Sequence, residues 1–292
     1  MKTLNLWLKA IRSYSYTASL VPVAIGGLVA RQTAEDFFWF RFAVSLVAGV
    51  LVHTAANLWN DYYDFKSGVD TVDGGIGSGV LVYGEMSPAW CFRGAVLCAL
   101  LAAAGGIWLA TQVGWGILWL GLAGLIGAIA YSAGSFSPKH CALGEVWVFL
   151  LMGVGMTLGG YMAQTGRFSW MAIATGTPAA LLMTLILYTN NLRDLRTDRA
   201  AGLRTLPMIF KPTEAKIVVI LFWVVAYAMT VLMAVTRQLP FATQASLLTI
   251  PLAVPWALGV WKGPVTDSHV IRMAQLHMLF GLLFAAGLCF PW

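Results

Sequence analysis

Charged side chains are scarce in this sequence. Only 10% of its 292 residues are charged and 59% are hydrophobic, whereas a soluble domain carries roughly 25% charged residues. This composition excludes an ordinary soluble domain, because the apolar residues suffice for eight or nine membrane spans of roughly 20 residues each. We therefore expect the lipid bilayer as the main surrounding, and we do not interpret the net charge of +6 as a sign of nucleic-acid binding.

Cysteine is also sparse. Cys91, Cys98, Cys141 and Cys289 have neither zinc-ligand spacing nor the density of a disulfide framework, so we interpret them as apolar filler. The basic N-terminus leads into an apolar stretch that lacks a small-residue cleavage site and is followed by many further spans. We expect a retained first helix and not a removable signal peptide.

Apolar runs interrupted by glycine, proline or charge predict an all-α integral membrane protein, with residues 1–292 forming one multi-pass domain. The nine expected helices lie at 14–30, 38–63, 89–111, 114–132, 143–163, 170–190, 215–235, 240–260 and 270–290. With the N-terminus in the cytoplasm, all but four of the 18 lysine and arginine residues fall on the cytoplasmic side. This asymmetry agrees with the positive-inside rule.

Half of the twelve acidic residues lie in two short segments, each at the predicted cytoplasmic end of a helix. Within each segment, an asparagine and two aspartates follow one helical stripe at i, i+4 and i+7 or i+8. The members are Asn57, Asp61 and Asp64 in the first segment, and Asn190, Asp194 and Asp198 in the second. Ionisable groups at membrane depth are costly and usually functional, so these segments predict a site that faces the cytoplasm.

Two kinds of site match such clusters. A carboxylate cluster alone suits a proton or sodium ion, which would make the protein a cation-coupled transporter. Carboxylates interleaved with lysine and arginine suit divalent cations, with phosphate between the metals and the basic residues. Transporter sites usually lie near the bilayer midplane, so the predicted position at the cytoplasmic face favours a diphosphate site. The Asp-Gly-x-x-Ala-Arg signature of phosphatidyl-transfer enzymes is absent from both segments.

The same residues resemble the signatures of the UbiA superfamily of intramembrane prenyltransferases. Asn60, Asp61 and Asp64 match its Asn-Asp-x-x-Asp motif, and Asp194 and Asp198 match its Asp-x-x-x-Asp motif. Three longer segments are most similar to the 1,4-dihydroxy-2-naphthoate polyprenyltransferases of menaquinone biosynthesis. These are NDYYDFKSGVDT (60–71), YSAGS with the following LGEVWVFLLMG, and NNLRDLRTDRAAGLRTL (190–206).

This resemblance implies a helical bundle around a central cavity, in the cell (inner) membrane, in which a polyprenyl diphosphate ionises and a small aromatic acceptor attacks the allylic carbon. It implies Mg²⁺ as cofactor, held by Asp61, Asp64, Asp194 and Asp198 together with Asn57 and Asn190. Nearby basic and amide side chains are then candidate diphosphate contacts: Arg12, Asn60, Lys66, Lys139, Asn191, Arg199 and Arg204.

Other side chains near these segments are candidates for different roles. Tyr131 is a candidate to shield the allylic cation through its ring face, with an interfacial aromatic residue as the alternative. His53, Asp70 and Glu145 are candidate acceptor contacts. Instead of contacting the acceptor, Glu145 could form an ion pair with Lys139, and His53 could be a buried packing residue.

The sequence departs from the family pattern at several positions. Gly68 stands where many relatives carry a third aspartate, which leaves the roles of Asp70 and Asp73 open. Leu203 replaces a usual lysine, Ser15 stands where a second arginine is common, and loop 74–82 lacks a basic residue. We expect 1,4-dihydroxy-2-naphthoate as the acceptor, with 4-hydroxybenzoate, homogentisate or a lipid as alternatives.

Overall fold

The computed structural model describes residues 2–34, 36–72, 77–134 and 137–291, which form helices and connecting turns. The helices are α1 (Lys2–Ala10), α2 (Thr17–Thr33), α3 (Trp39–Ser67), α4 (Pro88–Val113), α5 (Gly116–Ser132), α6 (Gly144–Thr165), α7 (Trp170–Arg193), α8 (Leu195–Ala200), α9 (Pro212–Val235), α10 (Phe241–Lys262) and α11 (Asp267–Leu288). The predicted all-α membrane architecture is confirmed.

Eight helical segments in the described ranges are long and apolar enough to cross a membrane, and α5 is a shorter apolar helix. Together they follow the nine predicted spans in order. Helix α3 is longer than predicted because it continues through the first acidic segment to Ser67. It ends at Gly68, which has a φ of 77°, the left-handed conformation that commonly terminates helices.

The second acidic segment is not one continuous helix, whereas the predicted stripe required a continuous one. Helix α7 ends at Arg193, and the short helix α8 follows a bend at Asp194. The helical spacing nevertheless persists, because the amide of Asp194 bonds the carbonyl of Asn190 at 3.1 Å and that of Asp198 bonds the carbonyl of Asp194 at 2.8 Å. The short helix α1 was also not predicted as a separate element.

Helices α2 and α6 contact each other backbone to backbone through glycines. A Cβ atom at Gly26 would meet the carbonyl oxygen of Thr157, and one at Gly160 would meet the carbonyl oxygen of Val23. Small residues allow such close approach between membrane helices. Helix α6 also contains a π-helical segment, Phe149–Gly155, a type of turn that often marks functional sites.

Two of the three buried apolar clusters among the described residues show how the helices pack together. The larger one joins α2, α7, α9, α10 and α11 and includes Leu182, Phe280 and Phe284. The smaller one joins α1, α3 and α4 and includes Leu58 and Cys91. The helices surround a central cavity with a volume of about 1130 Å³.

Candidate active site

The central cavity has a polar end and an apolar interior. Its polar end is formed where α2, α3, α7 and α11 meet the loops that join the helices on one side of the bundle. The side chains there include Arg12, Asn57, Asn60, Asp64, Asp70, Lys139, Asn190, Asn191, Arg193, Asp194, Asp198 and Asp267. The structure thus brings the two acidic segments, which lie far apart in the sequence, to one end of one cavity.

Asp61 is buried beneath Arg12 and the loop that follows α3. The residue is only 2% exposed. One carboxylate oxygen accepts from Arg12 Nη2, which also donates to Asn60 Oδ1 at 3.3 Å. The other accepts from the Ser78 hydroxyl. Arg12 therefore occupies oxygen atoms of both residues that open the first motif.

Asp64 pairs with a different cation. Its Oδ2 atom accepts from Lys139 Nζ and from Asn60 Nδ2, the latter at 2.8 Å. Asn60 also donates to the Ser132 hydroxyl at 2.7 Å. Lys139 lies in the loop between α5 and α6, so this ion pair ties that loop to the end of α3.

Arg193 covers the second motif. Its Nε and Nη2 atoms donate to the two carboxylate oxygens of Asp194 at 2.7 and 2.6 Å, and Nη2 also donates to Asn190 Oδ1 at 2.8 Å. Its Nη1 atom donates to Asp267 Oδ1 at 2.5 Å, at the start of α11. The second motif therefore repeats the arrangement of the first, with one guanidinium on neighbouring amide and carboxylate oxygens.

Two carboxylates of the cavity lie in surroundings that disfavour their ionised form. Burial and the charge of Asp194 raise the pKa of Asp198 to about 7. Burial and the charge of Asp64 raise the pKa of Asp70 to about 7. Among the described residues Asp198 makes no ion pair, so a cation bound beside it would relieve this repulsion.

Three other candidates lie close to the polar end. Tyr131 and His53 line the cavity, and the ring nitrogens of His53 lie 3.3 Å from the hydroxyls of Ser15 and Ser19. Glu145 is buried and accepts from Asn191 Nδ2 at 2.9 Å. The expected alternative of a Glu145–Lys139 pair is wrong, because Lys139 binds Asp64 instead.

Several predicted diphosphate contacts lie outside the cavity lining. Lys66 is exposed, with its Nζ atom 5.7 Å from the ring centroid of Tyr62. Arg199 and Arg204 are exposed on α8 and on the loop after it. Asn57 lines the cavity, but its Nδ2 atom donates to the carbonyl of Ile11 at 3.0 Å. Asp73 lies outside the described residues.

The oxygen atoms at the polar end fit Mg²⁺. Among the described residues, no three histidine, cysteine or acidic side chains are close enough to hold an ion unaided. Oxygen atoms of Asn190 and Asp194 nevertheless already converge on one cation, the guanidinium of Arg193. Mg²⁺ commonly binds one or two protein carboxylates and completes its shell with water and substrate phosphate, so this donor set suits a metal–diphosphate complex.

Comparison with known proteins identifies the family of the chain. A model of the UbiA prenyltransferase family matches residues 19–289. The chain belongs to this family. It is 28% identical to the 1,4-dihydroxy-2-naphthoate octaprenyltransferase of Bacillus subtilis, over 97% of this chain and 91% of that protein. It is 30% identical to the UbiA prenyltransferase domain-containing protein 1 of Gallus gallus, over 96% and 83% of the two chains.

Solved structures of UbiA homologues share the fold. A homologue from Aeropyrum pernix K1 superposes with a TM-score of 0.73 at 18% identity, covering 96% of this chain and 98% of that one. A homologue from Archaeoglobus fulgidus, solved with GPP and Mg²⁺, gives a TM-score of 0.65 at 16% identity, covering 96% and 99%. These likenesses confirm that this member of the UbiA family has the family's membrane fold.

Sequence reasoning about this UbiA-family chain missed four side chains of the site. Ser78 and Ser132 bond Asp61 and Asn60, while Arg193 and Asp267 close the second motif. No spacing signal marks the serines, because Ser78 lies in a loop and Ser132 on α5, whereas their partners lie on α3. The adjacency of Arg193 to a motif aspartate was the one available signal.

Proposed function

We propose that the protein transfers a polyprenyl group from a polyprenyl diphosphate to 1,4-dihydroxy-2-naphthoate, as a step of menaquinone biosynthesis. The observation that carries this proposal is the single cavity that joins a carboxylate-rich, basic end to a long apolar interior. Such a cavity matches a substrate with a diphosphate head and a hydrocarbon tail. The B. subtilis relative supports the choice of acceptor.

At the polar end, the side chains of the chain itself would bind the diphosphate and the acceptor. Positive charge at this end is supplied by Arg12, Lys139 and Arg193. Mg²⁺, held by the carboxylates of the two motifs, would neutralise the diphosphate and stabilise it as a leaving group. The allylic carbon–oxygen bond breaks, a bond to the ring carbon forms, diphosphate leaves, and the ring carboxyl group is lost as CO₂.

Tyr131 lies between the polar end and the apolar interior. It is the last member of a stripe on α5 that lines the cavity, formed by Ile117, Gly121, Gly124, Ala128 and Tyr131. A carbocation at the head of the prenyl chain would form beside this ring. The face of an aromatic ring stabilises a nearby cation, which supports the role expected for Tyr131.

The prenyl tail would occupy the remainder of this stripe. Fourteen residues of helix separate Ile117 from Tyr131, a rise of about 21 Å at 1.5 Å per residue. At the far end the cavity reaches Phe168, in the connection between α6 and α7, and Trp170, the first residue of α7. The apolar interior therefore extends through most of a hydrocarbon layer that is about 30 Å thick.

An acceptor screen at one fixed polyprenyl diphosphate tests the proposal. Purified protein should prenylate 1,4-dihydroxy-2-naphthoate and release CO₂, and it should act far more slowly on 4-hydroxybenzoate, homogentisate and a glycerol-phosphate lipid. Preference for one of these other acceptors would keep the prenyltransferase and replace the acceptor. Ion-dependent flux in proteoliposomes without any prenyl transfer would favour a transporter.

A further inference from the structure

Arg193 is the basic residue at the polar end that contacts two carboxylates on different helices. It binds both oxygens of Asp194, at the end of α7, and one oxygen of Asp267, in the first turn of α11. The Arg193 and Asp194 side chains are about one-quarter exposed and that of Asp267 is 81% exposed. All three side chains line the polar end of the cavity.

The guanidinium competes with any metal ion for the same atoms. Nη2 and Nε engage Asn190 Oδ1 and both oxygens of Asp194, which are oxygens that a cation at the second motif would use together with those of Asp198. Coordination of a metal ion by Asp194 would therefore compete with its hydrogen bonds to Arg193. Asp267 gives the displaced guanidinium a carboxylate partner that the metal site does not use.

We propose that Arg193 is an exchangeable counter-ion, which neutralises Asp194 until Mg²⁺ binds. The guanidinium is then held by Asp267 at the polar end of the cavity, where it faces the diphosphate. Asp267 is in this scheme a positioning residue that acts through Arg193. The inference rests on the proposed function, because it assumes that Mg²⁺ and a prenyl diphosphate bind at this end.

The scheme couples the binding of the two ligands. Mg²⁺ releases Arg193 for the diphosphate, and the diphosphate draws Arg193 away from the oxygens that Mg²⁺ needs. By thermodynamic linkage, each ligand then tightens the binding of the other by the same factor. Removing Arg193 should therefore help the metal when it binds alone and should reduce the coupling between metal and diphosphate.

The test is a calorimetric titration of the full chain in detergent with MgCl₂, first alone and then after saturation with an unreactive prenyl thiodiphosphate. Arg193→Gln should tighten Mg²⁺ binding alone by about fivefold, the order expected of one partly exposed ion pair, and should lower the tightening caused by the thiodiphosphate. Asp267→Asn should instead weaken Mg²⁺ binding alone, because Arg193 then has only Asp194 as a carboxylate partner.

A double variant separates this scheme from a general effect of charge. If Asp267 acts through Arg193, Asp267→Asn should have no effect on Mg²⁺ binding in the Arg193→Gln background, which is a non-additive double-mutant cycle. Additive effects would overturn the proposal. Arg196→Gln, which removes an exposed arginine outside the cavity lining, serves as the matched control and should leave Mg²⁺ binding unchanged.

The outcomes distinguish this inference from the function on which it rests. If wild type binds Mg²⁺ and the thiodiphosphate, but Arg193→Gln binds Mg²⁺ alone no more tightly than wild type, the counter-ion scheme is wrong and the proposed site stands. If wild type binds neither ligand, both are overturned. Asp267→Asn changes an exposed side chain, so we expect this variant to fold. Its Mg²⁺ affinity therefore tests the scheme even if Arg193→Gln does not fold.

Discussion

At the scale of single residues, three of the four motif aspartates are paired with basic side chains. Arg12, Lys139 and Arg193 each hold one aspartate of the two motifs. Charge-assisted hydrogen bonds of this type are roughly twice as strong as neutral ones. In the proposed function, these same basic side chains would contact the diphosphate.

Lys139 offers a direct test of diphosphate binding. Lys139→Ala removes a cation that lines the polar end of the cavity. We therefore expect the KM for the prenyl diphosphate to rise about tenfold, which corresponds to a loss of ~1.4 kcal/mol of binding free energy. Steady-state kinetics at saturating acceptor measures this change. Lys262→Ala, at the exposed end of α10, is the control; equal effects of the two substitutions would contradict the assignment.

The sequence was informative about the motif residues and uninformative about their partners. Helical spacing places Asn60 beside Asp64 and Asn190 beside Asp194 whatever the rest of the fold does, and in both pairs the amide donates to the carboxylate. The pairing of Arg193 with Asp267 joins residues 74 positions apart. Such a contact depends on how helices pack, which no local pattern in one sequence specifies.

At the scale of helices, α5 forms one wall of the cavity. Its stripe through Gly121 and Gly124 lines the cavity, while Trp119 and Ile126 lie on the opposite face and are highly exposed. A Cβ atom at Gly121 or Gly124 would have no neighbour within 4 Å. These glycines therefore leave open space along the path proposed for the tail.

Filling that space should restrict the protein to prenyl diphosphates with shorter hydrocarbon tails. Gly121→Trp should lower kcat/KM for a long polyprenyl diphosphate by at least about tenfold while largely preserving activity with geranyl diphosphate, since a clash between side chain and tail costs on the order of 1–3 kcal/mol. Competition assays with the two donors measure the ratio. Ile126→Trp on the exposed face should not change it; an unchanged ratio in Gly121→Trp would show that the tail lies elsewhere.

The contact between α2 and α6 should be sensitive to a single methyl group. Gly160→Ala would bring a Cβ atom onto the carbonyl of Val23, so we expect a lower Tm in detergent, for a cost on the order of 1–3 kcal/mol. At the adjacent position, a Cβ atom on Gly159 would meet only the Leu120 side chain, at an ordinary 3.8 Å. Gly159→Ala is therefore the matched control, and equal Tm values for the two variants would argue against the close contact.

Sequence patterns located most helices but missed how some of them end. Apolar runs suffice to place spans, because each must cross a layer of similar thickness. They did not show that α7 stops at Arg193 and that α8 begins after a bend at Asp194. That interruption lies within a polar segment, where hydrophobic periodicity carries no signal.

At the scale of the whole molecule, the distribution of lysine and arginine predicts that the polar end of the cavity faces the cytoplasm. Two native cysteines allow a test of this orientation. Cys141 lies in the loop before α6, near Lys139, and Cys289 directly follows α11; both are exposed. The proposed topology places them on opposite sides of the membrane.

Labelling with a membrane-impermeant maleimide on intact cells decides the orientation. In variants that retain one of these cysteines and carry alanine at the other three, we expect labelling of Cys289 on intact cells and of Cys141 only after permeabilisation. The reverse pattern would place the site on the outer side. Buried Cys91, retained alone, should resist labelling in both conditions until the protein is denatured.

The central claim is that the carboxylates at one end of the cavity support metal-dependent prenyl transfer. The most direct measurement is product formation from a radiolabelled polyprenyl diphosphate and 1,4-dihydroxy-2-naphthoate by wild type and by Asp61→Asn, each with Mg²⁺ and with EDTA. We expect prenylated, decarboxylated product from wild type with Mg²⁺, and a loss of at least about 100-fold on chelation or substitution, the order seen when one electrostatic contact to a transition state is removed. Activity that survives both EDTA and Asp61→Asn would contradict the account.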